Sequence, residues 1–294
     1  GFNKAHAACY GRLAYQTAYM KANFPVEYMA SIMTNEAGDL EKIAEVINEC
    51  KRLKIKVLPP SINESFGDFT VVAGEVGPQE FKKDSTSKIR FGFYSIKNLG
   101  GDIADALITE RKSNGIYKSL EDLLTRARHK NLNKKSLEAL IKSGSLDILG
   151  ERGMLMANLE KMLEFARETN QGNSAQESLF NTGSIVNKLR LDDAEPAPQS
   201  EKLVWEKELL GLYVSGHPLD KFKDKLERSD LNIKKIKDEL LDGTMVGIAV
   251  LVENVRPAIT KTGKQMVFLR LADLSGNIEA VAFPKLFELK RDIL

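Results

Sequence analysis

Residues 96–111, IKNLGGDIADALITER, decide how this chain is read. The stretch reads as the end of a helix, a tight turn at Gly100-Gly101, and a new helix opened by Asp102. Residues 133–149, NKKSLEALIKSGSLDIL, repeat the plan with a turn at Ser143-Gly144-Ser145. Between them, residues 118–127, KSLEDLLTRA, offer Ser119 as an N-cap with Asp122 three residues on. Two helix–Gly turn–helix units in succession predict a helical module in the middle of the chain.

Working outward toward the N-terminus, residues 4–22 carry Ala, Leu, Tyr and Met at helical spacing, and Pro25 ends that run and starts another. Residues 39–54, DLEKIAEVINECKRLK, put Leu40, Ile43, Val46, Ile47 and Cys50 on one face. Acids come early in that helix and bases late, as the macrodipole prefers. Then the period changes: VLPPSINES (57–65), DFTVV (68–72) and KIRFGFYSI (88–96) read as short extended pieces of a small β element. Toward the C-terminus, residues 171–200 are rich in Gln, Asn, Ser, Pro and acids and read as a linker. Helix returns over 201–240 with Pro218 as a break. MVGIAVLVENV (245–255), MVFLRLADL (266–274) and IEAVAFP (278–284) then alternate as strands, joined at KTGK and SGN. The expected fold is mainly α with a small β element and a C-terminal partial antiparallel OB-type β barrel, in a multidomain fragment.

The chain has 294 residues, with 43% apolar and 29% charged, which excludes collagen-like, disordered and membrane classes. No run approaches the roughly 20 apolar residues of a membrane span. Cys9 and Cys50 are too few for a disulfide framework, and His6, His129 and His217 sit at no metal-ligand spacing. No metal or cofactor is expected in this chain, and the setting is expected to be reducing and cytoplasmic. The start, GFNKAHAACYGRLAY, has neither an initiator Met nor a signal-peptide layout, and the end stops within a β pattern. The expectation is a segment of a longer protein.

The formal charge is only +2, from 43 Lys+Arg against 41 Asp+Glu, which argues against a nucleic-acid partner until its distribution is examined. Residues 81–150 hold fourteen bases and eight acids, so this quarter of the chain is strongly basic and the remainder is acidic. Gly turns and helix N-termini in a basic module can bring backbone N–H groups to phosphates without a Cβ in the way. Such binding reads the DNA backbone and is salt-sensitive. Candidate contacts are Lys97, Asn98, Gly100 and Gly101 in the first unit and Lys134, Lys135, Lys142 and Gly144 in the second. The competing view makes LGG a plain helix C-cap and leaves Lys82, Lys83, Lys88 and Lys97 solvated.

Several stretches resemble one family, the C-family replicative polymerases of bacteria (DNA polymerase III alpha subunits). FNKAHAACYGRLAYQTAYMKANFPVEYMA (2–30) resembles the family's fingers. VLPPSINES and IRFGFYSIKNLGG (89–101) resemble the approach to its helix-hairpin-helix region, and LNKKSLEALIKSGSLD (132–147) resembles the second hairpin. EKELLGLYVSGHPLD (206–220) resembles the stretch before its OB domain. The resemblance divides the chain into a fingers segment (1–80), tandem helix-hairpin-helix (81–170), a linker (171–200), a helical connector (201–242) and a truncated OB domain (243–294). It implies template-directed DNA synthesis in the intact chain. The palm carboxylates, with the Mg²⁺ they would hold, are expected upstream of residue 1, so no catalytic residue is assigned here and the chain alone is expected to be inactive. DNA, the sliding clamp and further replicase holoenzyme subunits are the implied partners.

Within that resemblance, Gln176-Glu177-Ser178-Leu179-Phe180 matches a Q-x-x-L-F clamp-binding peptide. Leu179 and Phe180 would enter a hydrophobic pocket, with Gln176 orienting the peptide and Ser178 between them. The plain alternative is a short apolar anchor. Lys4, His6 and Tyr10 are candidates for the incoming nucleotide, or else core or cap residues. Arg256, Lys261, Lys264 and Phe268 are candidates for single-stranded nucleic acid, or else a polar hairpin turn. Trp205 and His217 read as packing residues. A different class of function, a non-catalytic adaptor with hairpins and an OB module, fits the same motifs, and a helical scaffold that binds no nucleic acid is a third.

Overall fold

The computed structural model describes residues 3–72, 87–127, 132–171, 188–227 and 231–291. They fall into two compact units, Gly1–Ser215 and Gly216–Leu294.

The first unit begins with α1 (Lys4–Asn23), α2 (Pro25–Asn35) and α3 (Leu40–Arg52). Side-chain oxygens of Asn3 and Asp39 accept N–H groups at the starts of α1 and α3, and Pro25 opens α2 where a missing N–H costs nothing. Ile43, Ile47 and Cys50 of α3 turn inward, as their spacing predicts, and Val46 packs against the same core. Helix α1 differs: none of its residues is buried, and Tyr10, Leu13, Tyr15 and Tyr19 stand exposed. Lys21 of α1 meets Glu49 of α3 at 2.8 Å.

The small β element is a three-stranded mixed sheet of β1 (Val57–Leu58), β2 (Thr70–Val72) and β3 (Lys88–Arg90). Strand β3 lies centrally, parallel to β1 with Val57 opposite Ile89 and antiparallel to β2 with Val71 opposite Ile89. The sheet thus joins segments on both sides of residue 80. Phe91 and Phe93 follow β3 into the core, and Phe69 stacks edge-on against Phe91 at 4.6 Å.

The helical module follows as α4 (Gly101–Asn114), α5 (Leu120–Arg126), α6 (Lys134–Lys142), α7 (Arg152–Ala157) and α8 (Leu159–Gln171), with α9 (Gln199–Leu210) closing the unit. Ser119 caps α5 by accepting the Asp122 N–H, as the sequence pattern predicts. One continuous core runs from Met33 and Ile43 through Phe91 and Leu107 to Leu140, Leu163 and Leu210. Arg111 of α4 is buried within it and donates to the Ile62 and Ser65 carbonyls at 2.7 Å each. Asn63 closes a two-way amide pairing with the Tyr117 backbone, so the loop after β1 is bolted to the helices.

Two readings of the hairpins are corrected. Residues before Gly100 do not end a helix: a single 3-10 turn, Phe93–Ser95, gives way to a β-turn in which Leu99 N–H donates to Ile96. After Gly144 the chain makes consecutive turns through Leu149, and the next helix starts only at Arg152.

The second unit holds a 3-10 turn (Asp220–Phe222), α10 (Lys223–Glu227), α11 (Ile233–Glu239), an antiparallel sheet of β4 (Leu251–Ile259), β5 (Gln265–Ala272) and β6 (Asn277–Ala282), and α12 (Pro284–Lys290). Strand β5 is central. Strand β4 begins at Leu251 rather than at Met245. Its partner β5 ends at Ala272, opposite Leu251, so 245–250 have no strand partner among the described residues, and Met245 is 98% exposed. The start of α11 docks on the β5–β6 turn: Ile233 and Lys234 donate their N–H groups to Asp273 and Ser275.

Candidate functional site

The first Gly turn has three working parts. Asn98 takes the left-handed conformation (φ +70°), which short polar side chains tolerate. Lys97 and Asn98 are both exposed at its tip. Gly100 is the N-cap of α4 and offers no side chain to the first N–H groups. The turn is anchored from behind, because Lys97 N–H donates to the Leu209 carbonyl of α9 at 3.0 Å. Tyr94 stands 45% exposed beside it, its hydroxyl hydrogen-bonded to Asp105, which raises the phenol's pKa above the usual 10. Its ring lies 3.8 Å from where a Cβ on Gly101 would be.

The second hairpin presents its helix start. Asn133 and Ser136 form a reciprocal capping box on α6, and Lys134 and Lys135 are its first two residues, both exposed. No acid lies in that first turn. Cations at a helix N-terminus face the positive end of the dipole and cost stability. Here they concentrate positive potential together with free-ended backbone N–H groups. Lys134 also pairs with Glu160 of α8, which raises the lysine's pKa through the hydrogen bond. Among the described residues, no carboxylate forms an ion pair with Lys135.

Lys142 and Gly144 lie elsewhere. Lys142 is half-buried, paired with Glu138 and 5.7 Å above the Trp205 ring. Gly144 is buried at φ +81°, and its N–H donates to Ile141. A Cβ there would lie 2.2 Å from Arg152 Nη2, so the missing side chain makes room for a guanidinium inside the protein. Arg152 is 3% exposed and donates bidentately to Asp147 at 2.8 Å, to the Lys142 carbonyl at 3.3 Å and to Glu206 at 2.9 Å. Its desolvation is outweighed by the Asp147 hydrogen bond and the neighbouring carboxylates, so its pKa is raised.

Sequence reasoning missed Arg152, Asp147, Glu206 and Tyr94. No spacing signal marks Arg152 and Glu206 as partners, because 54 residues separate them.

Lys4, His6 and Tyr10 lie on exposed α1, with the His6 and Tyr10 rings 4.3 Å apart one turn along. In the second unit Arg256 and Phe268 are cross-strand partners, with the guanidinium 5.0 Å from the ring centroid. Lys261 and Lys264 are exposed in the β4–β5 turn. Gln176, Ser178, Leu179 and Phe180 lie outside the described residues, as do Lys82 and Lys83. Among the described residues no group of three His, Cys, Asp or Glu could hold a metal ion, and no helix is long and apolar enough to cross a membrane.

A family model described as a helix-hairpin-helix motif matches residues 54–155, which span both turns. The chain is 39% identical over 302 residues to the DNA polymerase III subunit alpha of Thermus aquaticus, covering 100% of this chain and 23% of that protein. It is 38% identical to the subunit of the same name from Deinococcus radiodurans, covering 98% of this chain and 22% of the relative. The corresponding protein of Borreliella burgdorferi is 39% identical, again along the whole chain and over 25% of its own length. The chain therefore spans about a quarter of the length of these relatives.

Proposed function

We propose that this chain, similar along nearly its whole length to DNA polymerase III alpha subunits, is part of such a polymerase and grips primer–template duplex through its two hairpin units while synthesis runs elsewhere in the polymerase. The observation that carries the reading is Lys134-Lys135 at the acid-free start of α6, within a helix-hairpin-helix match. A start of this kind is unfavourable for the helix alone and favourable for a phosphate. Lys97 and Asn98, exposed in the turn before α4, supply the first contact through their own side chains, since Asp102 places an acid in the first turn of that helix. The inward-facing Lys142 and Gly144 act as supports behind it. Recognition of this kind touches the sugar–phosphate backbone and carries no base preference.

The other assignments follow the same reading. The 176–180 peptide tethers the chain to a sliding clamp, which raises effective concentration on the template. Lys4, His6 and Tyr10 belong to fingers near the nucleotide. Arg256 over Phe268 fits a stacking and charge site for single strands on an OB-type sheet. The resemblance puts the Mg²⁺-dependent step on carboxylates outside this sequence, so the chain alone is expected to extend no primer.

The test is duplex binding by the purified chain, measured by fluorescence anisotropy between about 50 and 200 mM salt. Two random-sequence duplexes are expected to bind equally and with a steep salt dependence. Lys97→Ala and Lys135→Ala are each expected to lower the salt slope by about 1. Salt-independent binding, or slopes unchanged in both variants, overturns the proposal.

A further inference from the structure

Helix α9 touches both hairpin units from behind. At the first turn, its Leu209 carbonyl accepts Lys97 N–H at 3.0 Å. This carbonyl is in the last turn of the helix, where acceptors lack intrahelical partners. At the second turn, Glu206 of the same helix holds Arg152, whose guanidinium rests against Gly144 and clasps Asp147 and the Lys142 carbonyl. Trp205, one residue before, lies under the Lys142 ammonium. Two successive turns of one helix, the first with Trp205 and Glu206 and the next with Leu209, therefore reach both units.

Glu206 is the joint of this arrangement. It is wholly buried, and its second oxygen accepts the Val214 and Ser215 N–H groups at 2.9 Å each. One carboxylate oxygen thus serves the hairpin side and the other serves the chain leaving α9. A glutamine cannot replace it, because in either amide orientation an NH₂ group meets a donor. Helix α6 is a rigid rod of nine residues, so holding its C-terminal end also fixes where Lys134 and Lys135 lie.

We propose that α9 is a brace that sets the two hairpin units in a fixed relation, with Glu206 as a positioning residue for simultaneous engagement of two stretches of DNA backbone. The inference rests on the duplex-gripping reading above. A protein whose units are fixed engages both sets of phosphates at once, and one whose units drift engages fewer, which lowers the number of counterions released on binding. The salt slope therefore reports the brace. A purely structural defect reduces the folded fraction and leaves the slope of the folded protein unchanged.

The experiment is Glu206→Gln in the full 294-residue chain, with Glu201→Gln, exposed on the same helix, as the control. Circular dichroism checks folding, and anisotropy on a random-sequence duplex gives affinity and salt slope. Glu206→Gln is expected to weaken binding at least about fivefold and to shrink the slope by about 1 or more, with Glu201→Gln matching the unaltered chain. A folded Glu206→Gln chain with an unaltered slope overturns the brace, whether or not affinity falls. If Glu206→Gln does not fold, Asp147→Asn, which loosens Arg152 from its half-exposed side, decides by the same slope criterion. Absence of salt-dependent binding by the unaltered chain refutes the duplex-gripping reading itself, a separate result from an unchanged slope in the variant.

Discussion

At the scale of single residues, the two Gly turns look alike in sequence and do different work. Gly100 caps α4 at a partly exposed position where the Asp102 carboxylate fills the place of a side chain, while Gly144 opens space inside for Arg152. Gly144→Ala meets two obstacles at once: a left-handed φ of +81°, and a guanidinium carbon 2.8 Å from the new methyl group. The expected cost is roughly 1–3 kcal/mol, read as a lower denaturant midpoint. A midpoint equal to that of the unaltered chain contradicts the packing described here. An equivalent size argument holds at Gly92, where a Cβ would strike the Asp68 and Gly67 backbone at 2.4 Å although φ is ordinary.

At the scale of elements, α6 trades helix stability for surface potential. Lys135→Gln removes a cation from the positive end of the dipole and is expected to leave stability unchanged or raise it by about 0.3 kcal/mol, read as an equal or slightly higher melting temperature, while weakening duplex binding. A clear loss of stability would show that Lys135 supports the fold instead. Helix α1 presents a different case, since Lys21 ties it to Glu49 of α3. Hydrogen bonds from Arg52 and then Lys21 hold the Glu49 carboxyl at about 2, below the usual 4.5. A depressed carboxyl contributes stability above pH 4.5, and that contribution fades as pH falls from 4.5 toward 2. Amide exchange in α1 is therefore expected to accelerate relative to α4 across that window, beyond the intrinsic pH effect. Lys21→Met should remove the difference.

For the whole molecule, the two units divide the labour differently from the sequence-derived boundaries. The 201–242 stretch, read as one connector, contributes α9 to the first unit's core and α11 to the second unit's sheet. Duplex gripping and clamp tethering are separable on the proposed reading, because the 176–180 peptide lies outside the 54–155 match. Leu179→Ala with Phe180→Ala is expected to abolish capture of the chain by an immobilised sliding clamp and to leave duplex affinity and its salt slope intact. Clamp capture unaffected by the double change would remove the tether from the proposal.

Most of the helices, the Ser119 cap and the C-terminal strands, apart from the start of β4, were legible in the sequence, because they depend on contacts a few residues apart. Ser119 on Asp122, Asp39 on Lys42 and the alternation of β5 are all local. The sequence also located the basic middle of the chain, since charge is countable without a fold. Tertiary structure alone decided which cations face outward. Lys135 and Lys142 sit on the same short helix, yet one is exposed and the other is held over Trp205, 63 positions away in number. The parallel pairing of Val57 with Ile89 and the burial of Arg152 against Glu206 likewise join distant segments. The cost of burying a charge depends on which elements meet around it, and periodicity along the chain carries no record of that meeting.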